Sequence, residues 1–218
     1  MPRAEGPSPT SRPPRRSQAS RRAETHARLL EALVECLVAL GHARTTTSEV
    51  CARAGVSQGA LFKHFATKAE LVSAAAEHLF ASLVEDYRSA FAERADEPDR
   101  AAAAVELLWS LFQQPRLAAV FELYLAARTD PELAARLAPV AARHADNLRR
   151  EARALFPEPA RTHPDFEPLI DVVVGALQGE AIAPTLGDPQ RGERLRAFLT
   201  RLARSVLGGP PPRPEPSR

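Results

Sequence analysis

The chain has 218 residues, with 29 Lys or Arg against 27 Asp or Glu, two cysteines, and no apolar run near the ~18 residues that a membrane helix needs. This length can bury a core without disulfides, and Cys36 and Cys51, with no C-x-x-C between or around them, suggest neither a zinc site nor a disulfide framework. No apolar leader opens the sequence, so the expectation is a soluble, cytoplasmic protein with no membrane partner, no cofactor and no bound metal.

The balanced total hides an asymmetry. Residues 1 to 70 carry 11 Lys or Arg against 6 Asp or Glu, and the remainder is mildly acidic. A basic front suggests that the first third meets a polyanion. In chain order, residues 1–20 are Arg- and Ser-rich and broken by proline, a composition expected to form a disordered basic arm. Leu30, Leu33, Val34, Leu37 and Leu40 then draw one stripe at helical spacing, which predicts a helix over 23–40. Two capping-box patterns, Thr46-x-x-Glu49 and Thr67-x-x-Glu70, open further helices, as do Asp130-Pro131 and Asp188-Pro189, each a cap residue before a proline suited to a first helical position. The resulting helices lie near 47–54, 58–64, 68–94, 99–113, 116–128, 131–155, 166–183 and 189–207. Pro139 is expected to kink or split the seventh. "IDVVVG" is locally rich in β-branched residues but falls inside a longer helical pattern. Residues 208–218, half of them proline or nearly so, are expected to be a second disordered tail. The fold class is therefore all-α, with about nine helices and no convincing strand.

The stretch "AGVSQGALFKHF", residues 54 to 65, admits two chemistries. Gly55-Val56-Ser57-Gln58-Gly59 fits the G-x-S-x-G pattern of a hydrolase nucleophile elbow, but such an elbow needs an apolar strand delivering the serine. The preceding "TTSEVCARAG" reads as a short amphipathic helix, so a hydrolase is disfavoured and the chain is not expected to be an enzyme. A helix-turn-helix accounts for more residues: Thr46 caps the first helix, Gly55 supplies the left-handed residue that ends it, and Ser57 caps the second. Gln58, Gly59 and Ala60 form an open leading turn, while Val56, Leu61 and Phe65 hold that helix against its neighbours.

"TTTSEVCARAGVSQGALFKHFATKAEL" resembles the DNA-binding segment of the tetracycline-repressor (TetR) family of bacterial transcriptional regulators. Thr47, Ala54, Gly55, Val56, Ser57, Gly59, Leu61, His64, Phe65, Lys68 and Leu71 fall on the family pattern; Cys51 replaces a small alanine, and Phe62 replaces a tyrosine, removing a hydroxyl. The resemblance implies an N-terminal three-helix DNA-binding domain over 21–67 and a helical ligand-binding and dimerisation domain over 68–207. It also implies that Thr47, His64 and Lys68 touch phosphates while the leading turn of the third helix reads bases. Gln58, whose amide can pair bidentately with adenine, is the first candidate for base readout, with Ser48 and Ala60 as secondary contacts and Lys63 reaching a base or a phosphate. Ser57, Gly59 and Phe62 complete the expected interface. Arg12, Arg15, Arg16, Arg21 and Arg22 could add backbone or minor-groove contacts, or serve only to solvate the arm.

In such proteins the C-terminal helices form a dimer and a small-molecule pocket. Ile170, Val173, Val174 and Leu177, followed by Leu195, Phe198, Leu199 and Leu202, supply two apolar stripes able to meet a second copy in a four-helix interface, or to face their own domain. Trp109, Phe112, Phe121, Tyr124 and Arg128 are the pocket candidates, with Gln113 and Glu122 beside them. The histidines never pair at i, i+3 or i, i+4, so no local metal motif arises. The resemblance thus implies a homodimeric regulator, most simply a repressor, that binds a near-palindromic double-stranded operator and is released by a small-molecule effector. A ligand-binding or adaptor protein whose helix-turn-helix no longer binds DNA is the alternative.

Overall fold

A computed structural model describes residues 18–182 and 190–208. Among these there are ten helices and no strand: α1 (Gln18–Leu40), α2 (Thr47–Ala54), α3 (Gln58–Phe62), α4 (Lys68–Ala92), α5 (Arg100–Phe112), α6 (Pro115–Ala127), α7 (Pro131–Leu155), α8 (Pro157–Thr162), α9 (Phe166–Ile182) and α10 (Arg191–Leu207).

The helix starts follow from side-chain chemistry. Thr46, Ser57, Thr67, Asp99 and Asp130 each accept a hydrogen bond from a backbone N–H in the first turn they open, satisfying a donor that no helical carbonyl can reach. Glu70 reaches back past the cap residue and accepts from the Ala66 N–H at 2.7 Å, a variation on the reciprocal bond of a capping box. Gly55 closes α2 with φ of 63°, a left-handed conformation that any side chain would strain.

Five expectations need correcting. Helix α1 begins at Gln18, so the first residues of the body extend three positions into the segment expected to be a disordered arm. Pro139 does not split α7, which runs unbroken from Pro131 to Leu155. It sits on the exposed side of the helix, where the carbonyl it leaves without a donor can turn to water. Helix α3 ends at Phe62 rather than at 64, with Lys63 as its C-cap. Helix α8 lies where no separate helix is expected: "PEPART" has no apolar period, but its two prolines fall in the first turn, where their missing N–H groups cost nothing. Helix α10 starts at Arg191, after the expected 189, and the Asp188-Pro189 cap lies outside the described residues, as do the rest of the arm and the tail.

Packing makes one continuous apolar core from α1 to α10. Helix α1 buries Leu29, Leu33 and Leu37 against α2, α4 and α6, and α4 lies along α7. Helices α5, α9 and α10 pack on one another at the far end. Five residues are too few for a helix to stand alone, so α3 is held by tertiary contacts: Leu61 is fully buried and Phe65, just beyond it, nearly so. Truncating Leu61 to alanine would cost about 2–5 kcal/mol, enough to free the helix from its seat.

Candidate nucleic-acid interface and interior cavity

The α2–α3 corner leaves its leading edge uncovered. Ser57, Gln58, Gly59, Phe62 and Lys63 are exposed, with Ala60 half-buried, and Phe62 keeps 50% of its surface open despite being a large aromatic. The Ser57 hydroxyl accepts from the Ala60 N–H at 3.2 Å, capping the helix while Ser57 stays exposed. A Cβ built at Gly59 would meet nothing nearer than the Ser57 hydroxyl at 3.9 Å. The protein itself therefore has no steric need for glycine there.

Two of the expected contact residues are joined directly. The Gln58 side-chain amide donates to the Ser48 hydroxyl at 2.7 Å, tying the first residue of α3 to the first turn of α2. That bond uses one of the two amide hydrogens and leaves the other, with the amide oxygen, available for the edge of a base. Ser48 thus holds the Gln58 amide in place. Thr47 is half-buried at the start of α2.

His64 and Lys68 sit beside the corner and are partly covered. The His64 ring lies 5.9 Å from the His26 ring and 6.3 Å from Phe65, centroid to centroid. Burial, together with the nearby charges of Arg22 and His26, holds its pKa below the ordinary 6.5. Burial likewise lowers the Lys68 pKa from its ordinary value, against the pull of Asp130. Arg21 and Arg22 are exposed in the opening turns of α1, whereas Arg12, Arg15 and Arg16 lie outside the described residues.

Nothing in the sequence announces Arg28. From α1 its guanidinium donates to the carbonyls of Ala54 and, at 3.3 Å, Gly55, closing the C-terminal end of α2 where free carbonyls gather. A bond that spans 26 residues has no local signature. Equally unannounced are two bonds between the corner and the rest of the molecule: the His42 N–H donates to a Glu122 carboxylate oxygen at 3.0 Å, and the Thr67 hydroxyl donates to Glu132 at 3.0 Å.

Behind this corner the second half encloses a cavity of about 130 Å³ walled by α4, α5, α6, α7, α9 and α10. Of the five residues expected to line it, Phe112, Phe121 and Tyr124 do and Trp109 and Arg128 do not. Trp109 instead packs on α10, where a Cβ at Gly192 would come within 2.8 Å of its ring and where Arg196 lies 5.8 Å from the ring centroid. Gln113 and Glu122 are likewise absent from the wall.

The two stripes expected at a dimer interface divide between other tasks. Ile170, Val173 and Val174 face the cavity, Leu177 and Leu199 are buried in the core, and Leu195 and Leu202 are half-buried against it. Only Phe198 of that set stands out, at 52% exposed. On α9 the open face is the opposite one: Val172, Gly175, Gly179 and Ile182 recur at steps of three and four, and both glycines have open space where a Cβ would be. Helix α9 is apolar nearly all round, so its period could not say which side meets its own core.

Residues 29–75 match the model of bacterial regulatory proteins of the tetR family. Over 193 residues the chain is 31% identical to the HTH-type transcriptional regulator Rv2912c of Mycobacterium tuberculosis (strain ATCC 25618 / H37Rv), covering 88% of this chain and 99% of that one. The chain belongs to the tetR family. It is also 28% identical to the HTH-type transcriptional regulator CymR of Pseudomonas putida, over 88% of this chain and 95% of CymR. Among solved structures, the multidrug binding protein EbrR complexed with ethidium shares 29% identity, with a TM-score of 0.59 over 82% of this chain and 98% of EbrR. As a tetR-family protein the chain is a transcriptional regulator, and its relatives are regulators rather than enzymes. No described helix is long and apolar enough to cross a membrane.

Proposed function

We propose that the protein is a homodimeric repressor that sets α3 of each copy into the major groove of a near-palindromic operator and releases it when a small molecule enters the cavity. The observation that carries this reading is the bare leading turn of α3, where Gln58, Gly59, Phe62 and Lys63 stand exposed at the surface. Gln58, held by Ser48, reads a base; Thr47, Ser57, Lys63, His64 and Lys68 meet the backbone, and Ala60 and Phe62 offer apolar contact to thymine methyls and sugars. The second copy packs against Val172, Gly175, Gly179, Ile182 and Phe198. EbrR, similar over most of its length, is described as a multidrug binding protein and holds ethidium, which supports an effector role for the cavity here.

Helix α6 links the two sites. Phe121 and Tyr124 project from it into the cavity, and Glu122 between them grips the backbone after α1. An effector that binds one arrangement of α6 better than the other lowers DNA affinity by that difference, typically ~1–3 kcal/mol.

Retardation of the DNA upstream of the protein's own reading frame tests the reading. Sequence-selective binding that weakens with salt is expected, and Gln58→Ala should flatten the ranking of operator variants, with Ser48→Ala reproducing part of that effect. Absence of selective retardation at any salt concentration would overturn it.

A further inference from the structure

The cavity wall carries information about the charge and shape of its occupant. Five rings run along it in sequence: Phe112 and Phe121 at 6.0 Å, Phe121 and Tyr124 at 6.3 Å, Tyr124 and Phe80 at 6.4 Å, and Phe80 stacked face to face on His144 at 3.8 Å, all between centroids. Among the described residues no Lys or Arg lines the cavity, so nothing there neutralises an anion. Its one carboxylate, Glu151, is already engaged by the Arg88 guanidinium, with a 2.9 Å hydrogen bond from Nε and a second contact from Nη2, and that pairing holds its pKa below the ordinary carboxylate value. A cationic ligand would have to displace Arg88. Burial keeps the remaining titratable groups uncharged: the Tyr124 pKa is pushed up to about 12, that of Tyr87 is also raised, and that of His144 is pushed down to about 4.

His144 Nδ1 is buried without a hydrogen-bond partner among the described residues, and it is covered too completely to offer a surface to the cavity. The wall therefore meets its occupant through its rings.

We infer that the effector is an uncharged single-ring aromatic compound, its ring laid along the Phe112–Phe121–Tyr124–Phe80 row. The inference rests on the effector reading of the cavity and narrows it to one chemical class. The size agrees: a dry engineered cavity of about 150 Å³ accepts benzene, and this one measures about 130 Å³. The contrast with EbrR is chemical, since ethidium is a cation and the lining carboxylate here is already paired.

Calorimetric titration of the full chain with four probes of matched shape provides the test: 4-ethylphenol, ethylbenzene, 4-ethylbenzoate and 4-ethylbenzylammonium. The expected order places the two uncharged probes, 4-ethylphenol and ethylbenzene, each at least about tenfold tighter than either ion, which would shed its hydration with no free opposite charge to meet it. Tighter binding of either ion, or no binding by any probe, overturns the inference. If a charged or larger compound nevertheless releases the DNA, the effector reading survives it; if no compound of any class both binds and weakens DNA binding, that reading falls as well.

Discussion

Individual side chains at the α2–α3 corner do more than one task, and their environments set how they respond. His64 is held below its ordinary pKa of 6.5 by burial and by the charges of Arg22 and His26, so at pH 7.5 it is neutral in the free protein. A phosphate beside it favours the charged ring, which raises the pKa in the complex and makes binding take up a proton. Affinity for DNA should therefore rise as pH falls, in the window between the raised bound-state value and the depressed free-state value. Measured between pH 8 and 6 at constant ionic strength, this slope should be absent in His64→Gln; an unchanged slope in the variant would remove His64 from the interface. At this scale the sequence is legible where chemistry is local. Thr46, Ser57, Thr67 and Asp130 all cap the helices expected of them, because a hydroxyl or carboxylate three residues before a backbone donor needs no other part of the fold. Arg28 and Glu122 are not legible, since their partners come from distant segments.

Helices are legible where an apolar stripe or a cap marks them, and their faces only where the pattern is one-sided. Helix α1 shows the first case: the stripe from Leu30 to Leu37 is the face it buries. Helix α9 shows the failure, because valines and glycines surround it and two residues expected at a dimer seam, Val173 and Leu177, belong to the core. The aromatic positions of α5 and α6 divide in a similar way, with Phe112, Phe121 and Tyr124 in the cavity and Trp109 against α10. On α6, the cavity face and the Glu122 bond to the His42 N–H move together if the helix moves at all. Glu122→Ala should leave DNA affinity without effector within about threefold, while reducing the effector-induced weakening by about 1 kcal/mol, the worth of the bond removed. Equal effector response in both proteins would show that the signal does not pass through this bond.

For the molecule as a whole, the basic first third and the mildly acidic remainder correspond to the uncovered corner and to the helices that enclose the cavity. The one continuous core joining them means that a change in the second half has packed side chains, rather than an empty hinge, through which to reach the first. In the proposed dimer the second copy meets the open face of α9 and Phe198 of α10, where Val172, Ile182 and Phe198 are exposed. Phe198→Glu should shift the protein from dimer to monomer in sedimentation. A monomer reaches only one half-site at a time, so operator affinity should fall by about 10²-fold or more. A dimer that persists in the variant would place the interface elsewhere.

Operator binding by this corner requires the tip of α3 to enter a groove that tolerates no bulk. Gly59→Leu isolates that demand, because a side chain at this position extends into open space and leaves the protein's own packing alone. Comparing the variant with the unaltered protein on the same upstream DNA, with thermal unfolding as the control, should give an unchanged or slightly higher Tm and selective binding weaker by about 10²-fold or more. Full operator affinity in a variant that folds normally would contradict it.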